Sequence, residues 1–414
     1  MFKKILCIII SVIMIFSLAS CSFQNPVKSK EPEPPHSIIF APNEGFANFD
    51  IQFIKFLDSE CLDDSENYVA SPLSLKYALC LATIGANGET QKELLNLIGF
   101  KNVDECINWA ESYTYELERF KAEAYADKSS RTLHIANSVW HNSDRGGKLV
   151  PAYVDTINDK LLSEVYSEKG NKLPTRINRW CKKETNGLIY PIVTDTVSDA
   201  NTVIVNTVYL KSNWAKTFEK ELTTEDYFTT IQGDKIKKDF MTTQGYFSYY
   251  KDDKTELIVL PLEGDINCVL VMGEDNGIMK DGQETNFYEK IRQAQPTNVN
   301  LQVPKFEISS SFNNNEIANF LSTNGAHLCF DKNRADFSNM IDEQIYINKI
   351  IQKTKIETDE EGVEAASATA IIMEDNAVSV DTITQVCFNK PFKFYIYNFN
   401  NNNPEILFYG NHIK

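Results

Sequence analysis

Asp359-Glu360-Glu361-Gly362-Val363-Glu364-Ala365-Ala366-Ser367-Ala368-Thr369-Ala370-Ile371-Ile372-Met373-Glu374-Asp375-Asn376 is the stretch on which the reading of this chain turns. At period two, one face carries Val363, Ala365, Ser367, Thr369, Ile371 and Met373, and the other carries Glu364, Ala366, Ala368, Ala370, Ile372 and Glu374. The first face suits a sheet interior and the second suits solvent. Acidic runs bracket the segment on both sides, one of them with a Gly, which are turn and loop signals. Two readings compete. One is an Ala-rich surface helix with Glu364 in its first turn. The other is a Pro-free segment of small residues held outside a sheet and able to enter it later.

The flanks decide between them. Upstream, Ile350-Ile351-Gln352-Lys353-Thr354-Lys355-Ile356-Glu357-Thr358 mixes apolar and polar residues as a strand does and leads straight into the acidic Gly turn. Downstream, Phe388-Asn389-Lys390-Pro391-Phe392-Lys393-Phe394 and Ile406-Leu407-Phe408-Tyr409-Gly410-Asn411 close the chain. A strand ending in an acidic-acidic-Gly hinge, an Ala-rich loop, Asn-Lys-Pro-Phe and a terminal Leu-Phe-Tyr-Gly strand together resemble the serpin family.

The resemblance recurs along residues 44–414. Phe49, Phe53, Phe56 and Leu57 sit at helical spacing. Ser71-Pro72 places a capping residue before a Pro at the first helical position, opening an apolar helix to about Ile84. Asn87-Gly88-Glu89-Thr90 breaks the chain, and Thr90 with Glu93 has capping-box spacing. That run is similar to the serpin core helices beneath the main sheet. Residues 104–121 predict an acidic amphipathic helix whose Asp104, Glu105, Glu111, Glu116 and Glu118 exclude use as a basic cofactor site. Leu133–Trp140 predicts a buried strand, and residues 177–189 a helix ended by Gly187. The strand Thr202–Lys211 leads to Trp214, and from Asn206 onward it matches the family pattern Asn-x-x-Tyr-x-Lys-x-x-Trp. The resemblance assigns Asn206 and Trp214 to the breach, where an inserting strand first enters the sheet. Strands and helices mix unevenly and no repeat appears, which indicates α+β. The fold implied is helices packed around a large, mainly antiparallel central sheet with an exposed C-terminal reactive loop at about residues 360–385.

With 414 residues and 43% hydrophobic content the chain is large enough for a substantial core. Its formal charge is -16, which disfavours nucleic acid and anionic lipid surfaces and attracts cationic proteins. Residues 1–20 predict an export signal: Lys3 and Lys4 precede an apolar run from Ile5 to Leu18 that is short for a membrane span. Leu18-Ala19-Ser20-Cys21 looks like a bacterial lipobox, with Cys21 as the lipidated residue of the mature N-terminus; an ordinary signal peptide with an incidental Cys is the alternative. Residues 21–43 then form the lipidated Cys and a solvated Pro, Lys and Glu tether, and residues 44–414 the serpin domain. The expectation is an extracytoplasmic protein anchored to the membrane by lipid alone.

Nine cysteines are present. Setting aside Cys7 and Cys21 leaves Cys61, Cys80, Cys106, Cys181, Cys268, Cys329 and Cys387, an odd number at wide spacings without a C-x-x-C pair. The pattern predicts buried free thiols, with neither a zinc site nor a disulfide framework. No Gly-x-Ser-x-Gly, His-Glu-x-x-His or phosphate-binding Gly loop occurs. The five histidines are scattered, and His134 inside an apolar strand predicts a packed structural role. No enzyme activity, cofactor or metal is expected.

What the resemblance implies is a monomeric suicide-substrate inhibitor whose partner is a serine protease, joined to it as an acyl-enzyme. After cleavage, Glu361, Gly362, Val363, Glu364, Ala365, Ala366, Ser367, Ala368 and Thr369 act as hinge and inserting strand. A dozen residues at about 3.4 Å each carry the protease some 40 Å. Insertion needs small or apolar residues on one face and no Pro, because every backbone group joins a ladder, and Val363, Ala365, Ser367 and Thr369 meet that requirement. Counted from Gly362 as in typical inhibitory members, the scissile bond is Asn376-Ala377; counted back from Pro391 it is Val380-Asp381, so the loop is longer than the common pattern. Val378-Ser379 lies between as the second candidate. Ala377 and Val378 suit an elastase-like or subtilisin-like pocket, and no Arg or Lys between Lys355 and Lys390 invites a trypsin-like enzyme. Gln352 stands where many relatives have His, and Lys393 replaces an apolar residue. The competing reading is a non-inhibitory serpin-fold binding or structural protein, cleaved as a plain substrate.

Overall fold

The computed structural model describes residues 48–58, 66–129, 131–273, 286–312, 315–363, 382–398 and 405–414. Among them the helices are α1 Asn48–Phe56, α2 Pro72–Gly85, α3 Gly88–Ile98, α4 Val103–Asp127, α5 Pro151–Lys160, α6 Leu173–Glu184, α7 Asn286–Gln293 and α8 Glu316–Thr323. The strands are β1 Tyr68–Ala70, β2 Thr132–Asn142, β3 Glu164–Glu168, β4 Thr202–Asn213, β5 Thr224–Thr229, β6 Lys235–Lys251, β7 Thr255–Leu262 and β8 Ile266–Gly273. They continue with β9 Gln295–Pro304, β10 Phe306–Phe312, β11 Ile347–Thr358, β12 Gly362–Val363, β13 Thr384–Cys387, β14 Phe392–Asn398 and β15 Glu405–His412.

Two sheets organise these elements. One has the order β1-β15-β14-β8-β7-β6-β9-β13, with β5 paired to β6. The other is β10-β11-β12-β4-β2-β3, in which β11 also pairs directly with β4. This second sheet is mainly antiparallel, with parallel pairings between β11 and β4 and between β2 and β3.

Alternation along β4 explains how the second sheet is buried on both faces. Ile204, Val208 and Leu210 join Ile350, Ile356 and α2 in the main core. Val203 and Val205 face the other way, joining Trp140, Ile177, Trp180, Cys181 and Ile351 beneath α6. A strand buried on both faces reads as a near-continuous apolar run, which is what Thr202–Leu210 shows in sequence.

Helix α2 begins where the sequence places it: Ser71 Oγ accepts the Ser74 N–H and Pro72 occupies the first turn. Helix α3 does not begin as expected. It starts at Gly88 behind Asn87, and the side chains of the expected capping box serve other segments. Thr90 Oγ1 accepts the Asp336 N–H, and Glu93 Oε2 accepts the N–H groups of His327 and Leu328. Tertiary partners thus outcompete the local cap. Helix α4 runs beyond the expected range in both directions, to Val103 and Asp127, and α6 begins at Leu173, ahead of Ile177. Gly187 takes the left-handed conformation (φ 85°) that ends the helical stretch. His134 lies on the α6 face beyond the apolar cluster, half exposed, with Nε2 3.0 Å from Glu184; it is a surface-pair histidine rather than a packed one. Cys80, Cys106, Cys181, Cys268 and Cys329 are buried free thiols and Cys387 is half-buried; Cys61 lies outside the described residues.

Candidate functional site: the hinge and the parted sheet

Strand β11 ends at Thr358, and the chain reverses over Asp359-Glu360-Glu361. Asp359 makes the turn: its Oδ1 accepts the N–H groups of Glu361 (2.8 Å) and Gly362 (3.1 Å), and its own N–H donates to the Gly362 carbonyl (3.0 Å). This is an Asx-type turn, in which a short carboxylate side chain substitutes for a backbone partner. Gly362 then passes close to β4. A Cβ there would meet the Ser212 carbonyl oxygen at 2.2 Å, so no larger residue fits.

The turn delivers β12 between two strands. Val363 pairs with Thr358 of β11 on one side and Ser212 of β4 on the other, and Gly362 pairs with Asn213. Val363 is 1% exposed and belongs to the main core. Further along, no strand separates β11 from β4: Ile350 faces Ile204, Gln352 faces Asn206 and Thr354 faces Val208 in direct parallel register. The sheet is therefore parted at one end and closed below. A cavity lined by Val208, Tyr209, Leu210, Lys355 and Glu357, with Leu188 and Ile189, marks the parted region.

Backbone and charge hold the hinge in place. The Trp214 N–H donates to the Glu361 carbonyl (2.9 Å), Trp214 Nε1 donates to the Asp359 carbonyl (2.9 Å), and the Phe218 N–H donates to the Glu360 carbonyl (2.9 Å). The Trp214 and Phe218 rings meet edge-on at 5.8 Å. Glu360 is nearly buried, with Lys305 Nζ at 2.6 Å and Thr223 Oγ1 donating at 2.6 Å. Burial alone would raise its carboxyl, but the hydrogen bonds from Lys305 and Thr223 outweigh that and hold it below its ordinary value. Glu361 pairs with the exposed Lys220, whose ammonium it stabilises upward.

The closed part of the sheet has a polar latch. Asn206 Oδ1 accepts from Ser74 Oγ (2.7 Å) and Gln352 Nε2 (3.2 Å), and Asn206 Nδ2 donates to Asn137 Oδ1 (2.6 Å). The Gln352 amide also bridges the Ser71 backbone, accepting from its N–H (3.0 Å) and donating to its carbonyl (2.9 Å). Buried amides stabilise most when every member is paired; here the Asn137 Nδ2 has no hydrogen-bond partner among the described residues. One row nearer the opening, buried Thr354 Oγ1 has no hydrogen-bond partner among the described residues.

The sequence grouped Asn206 with Trp214; the structure places them apart. Trp214 lies just past the end of β4 against the hinge, whereas Asn206 sits mid-strand in the latch. Glu361, Gly362 and Val363 are brought to the sheet as described. Glu364, Ala365, Ala366, Ser367, Ala368, Thr369, Asn376, Ala377, Val378 and Ser379 lie outside the described residues, as does Cys21. Sequence reasoning read Ser71 only as a helix cap and missed its place in the latch, and it missed Lys305, Lys220, Thr223 and Ser74, which reach the hinge and latch from remote segments. Among the described residues no group of three His, Cys, Asp or Glu side chains is placed to hold a metal ion.

The family model described as Serpin (serine protease inhibitor) matches residues 45–414. Serpin B6 of Pongo abelii is 25% identical over 382 residues, 89% of this chain and 97% of the relative. The leukocyte elastase inhibitor of Homo sapiens is 26% identical over 371 residues, 83% of this chain and 92% of the relative. Among solved structures, the thermophilic serpin tengpin in its native state superposes with a TM-score of 0.73 at 24% identity, covering 91% of this chain and 96% of that one.

Proposed function

The chain belongs to the serpin family, and from that premise we propose that it is an irreversible suicide-substrate inhibitor of elastase-like or subtilisin-like serine proteases. The observation that carries this reading is the position of Gly362 and Val363, on the first rung between β11 and β4 with the sheet closed below them.

Continuing the register of that rung sets the fate of the next residues. Each core-facing residue meets one row: Ala365 falls between Leu210 and Ile356, Ser367 between Val208 and Thr354, Thr369 between Asn206 and Gln352, and Ile371 between Ile204 and Ile350. The last three of these rows coincide with direct pairs that β11 and β4 make in the closed region. Apolar loop residues thus meet apolar rows, the Ser367 hydroxyl meets the unpartnered Thr354 hydroxyl, and the Thr369 hydroxyl enters the latch that insertion must open. The cost of parting Gln352 from Asn206 is offset by a new polar partner on the incoming strand.

In the reaction, the protease serine oxygen attacks the carbonyl of Asn376, or of Val378 as the second candidate. The amine of the following residue leaves with a proton, and the chain remains as an ester on the protease. Cleavage frees the segment from Glu364 onward to insert. About a dozen residues then gain ladder hydrogen bonds at about 1 kcal/mol net each, on the order of 10 kcal/mol in all, enough to deform the attached protease before water releases it. Ala377, Val378 and the lack of basic residues in the loop support a small apolar specificity pocket, and one relative is by its name an inhibitor of leukocyte elastase. A lipid on Cys21 and the tether behind it would hold the inhibitor at a membrane surface outside the cell.

The test is to mix the purified protein with neutrophil-type elastase and with a subtilisin and to analyse the products on denaturing gels and by mass spectrometry. A complex that survives SDS, with a released peptide beginning at Ala377 or Ser379, is the expected result. Cleavage in the loop without a trapped complex, across a broad protease panel, would replace this reading with the non-inhibitory one.

A further inference from the structure

Helix α6 covers the second sheet with one side and faces solvent with the other. Leu173, Ile177, Trp180 and Cys181 pack against Val203, Val205 and Ile351 across the closed part of the sheet. The outward side carries Arg176, Arg179, Lys182 and Lys183, and the turn before it carries Lys169 and Lys172; all six are exposed. No acidic residue occurs between Lys169 and Lys183. Arg176 lies 3.4 Å from Glu168 and Lys183 2.7 Å from Glu184, whereas Lys172 and Arg179 form no ion pair among the described residues. Tyr190, 57% exposed, follows the helix and takes the Lys182 ammonium over its ring at 5.4 Å. The formal charge of -16 thus conceals a basic face.

We propose that the outward side of α6, with Tyr190 beside its last turn, is a docking surface for a membrane rich in anionic phospholipid. The stability of the helix does not explain these cations. Lys182 and Lys183 suit its negative end, but Lys169 and Lys172 lie at the positive end, where cations are unfavourable. Clusters of four to eight basic residues on an amphipathic helix are the pattern that meets anionic headgroups, at about 1 kcal/mol, or about fivefold in affinity, for each cation at the surface. The four outward cations of α6 would then favour an anionic over a neutral surface by about 600-fold. The acidic remainder of the chain opposes this only weakly. Screening confines the contest to charges within about 8 Å of the bilayer, and a helix about 10 Å across sets most of the other acids beyond that distance. The carboxylates nearest the face are Glu184, Asp195 and Asp199; Glu184 is held by His134 and Lys183, and Asp199 lies 3.5 Å from Arg145. Tyr190 favours a bilayer over a soluble polyanion, because an exposed tyrosine among cations suits the headgroup layer. The choice of a membrane also rests on the tethered, extracytoplasmic placement proposed above, which brings α6 within reach of a bilayer.

The experiment uses the chain from residue 21 onward, which keeps every described residue, with Cys21→Ser so that no lipid contributes. Co-sedimentation is measured with vesicles of phosphatidylcholine alone and of three parts phosphatidylcholine to one part phosphatidylglycerol. The variants are Arg179→Gln/Lys182→Gln and, as a control that removes the same charge from exposed sites outside α6, Lys254→Gln/Lys332→Gln. Wild type should bind the anionic vesicles and not the neutral ones, and added salt should weaken it. The α6 variant should bind about 25-fold more weakly, with the control within twofold of wild type. An α6 variant within twofold of wild type, or wild type that binds both vesicles alike or neither, overturns the proposal. Wild type that binds a soluble sulfated polysaccharide but not the anionic vesicles also overturns it, since the face would then serve another class of anion. Because the chain tested carries no lipid, these failures strike the α6 face and not the tether. A mass for the membrane-purified full chain that lacks a diacylglyceryl group strikes the tether and leaves the vesicle result to decide the α6 face.

Discussion

Glu360 and Lys305 form an ion pair of 2.6 Å at the base of the hinge, with the Glu360 side chain 7% exposed and that of Lys305 36%. Glu360 also accepts from Thr223, so one carboxylate ties the end of β11 to the segment joining β9 and β10 and to the loop before β5. Replacing it by lysine leaves two ammonium groups facing each other where one is nearly buried. Glu360→Lys is expected to cost about 2–4 kcal/mol, the range for breaking a buried pair discounted for the exposure of Lys305. Because the lost contacts hold the parted end of the sheet, the variant should also self-associate on mild heating. Native gels and size-exclusion chromatography after incubation check this; a variant that stays monomeric with an unchanged melting temperature would show that the pair does not hold the hinge.

Val363 supplies the second prediction. It is the residue that has already entered the sheet, and its side chain is in the core between Thr358 and Ser212. A carboxylate there is desolvated without a cationic partner. Val363→Asp should therefore keep the loop outside, turning the protein into a substrate: cleavage proceeds, the SDS-stable complex disappears, and the stoichiometry of inhibition rises more than tenfold. The second readout is thermal. Wild type cut in the loop should melt at a higher temperature than intact wild type, whereas cut Val363→Asp should not.

Gln352 supplies the third. Its amide satisfies both backbone groups of Ser71 and reaches Asn206. Gln352→Ala strands the buried Ser71 N–H, at about 1–3 kcal/mol, whereas the Ser71 carbonyl keeps the Leu75 N–H and Asn206 Oδ1 keeps the Ser74 hydroxyl. Gln352→His places a ring that can serve only some of the partners that the amide serves. The expected order of native-state stability is wild type, then His, then Ala, read by chemical denaturation. If Ala matches wild type, the latch does not hold the sheet closed.

How far these features could be read in the sequence depends on their range. The hinge was legible because its determinants are contiguous: Asp359 builds the turn from its own neighbours, Gly362 makes the close approach, and Val363 begins the alternating face. The strands around Asn206 were legible because both faces are apolar. The capping box at Thr90 and Glu93 misled because spacing alone does not reveal that Asp336 and His327 compete for the same side chains. Lys393 looked like a departure from the family pattern. In the structure its Nζ is 2.6 Å from Asp58, which also accepts from Tyr68 and Tyr409. The substitution is thus paired with a carboxylate 335 positions away, and neither residue signals the other along the chain. Separations of 141 and 281 residues likewise hide Lys220 from Glu361 and Ser71 from Gln352.

The last prediction concerns Asp50, buried in α1. Its carboxyl accepts the Ile406 N–H, and the charged groups facing it are Lys76 from α2 and Glu405 from β15. Glu405 in turn accepts from Trp109 Nε1 of α4. Lys76 is nearly buried over the Phe100 and Trp109 rings, so two carboxylates share one ammonium in a dry site. Burial, opposed by Lys76 and reinforced by Glu405, pushes Asp50 up to about 7, and burial raises Glu405 as well. A pKa raised on folding contributes stability that is complete below the unfolded value near 4 and is lost as pH rises through about 7. His412 works in the opposite sense. Burial lowers it to about 3, so its contribution is complete above about 6.5 and is lost on acidification through that window. The two slopes oppose each other between pH 4 and 6.5, so the wild-type profile alone hides both. Asp50→Asn removes only the first, since asparagine keeps the shape of the neutral acid and does not titrate. Its stability relative to wild type should therefore increase between pH 5 and pH 8, by about 2–3 kcal/mol if Asp50 titrates near 7. Denaturation of both proteins across that range checks it, and a pH-independent difference would mean that Asp50 stays ionised in the fold.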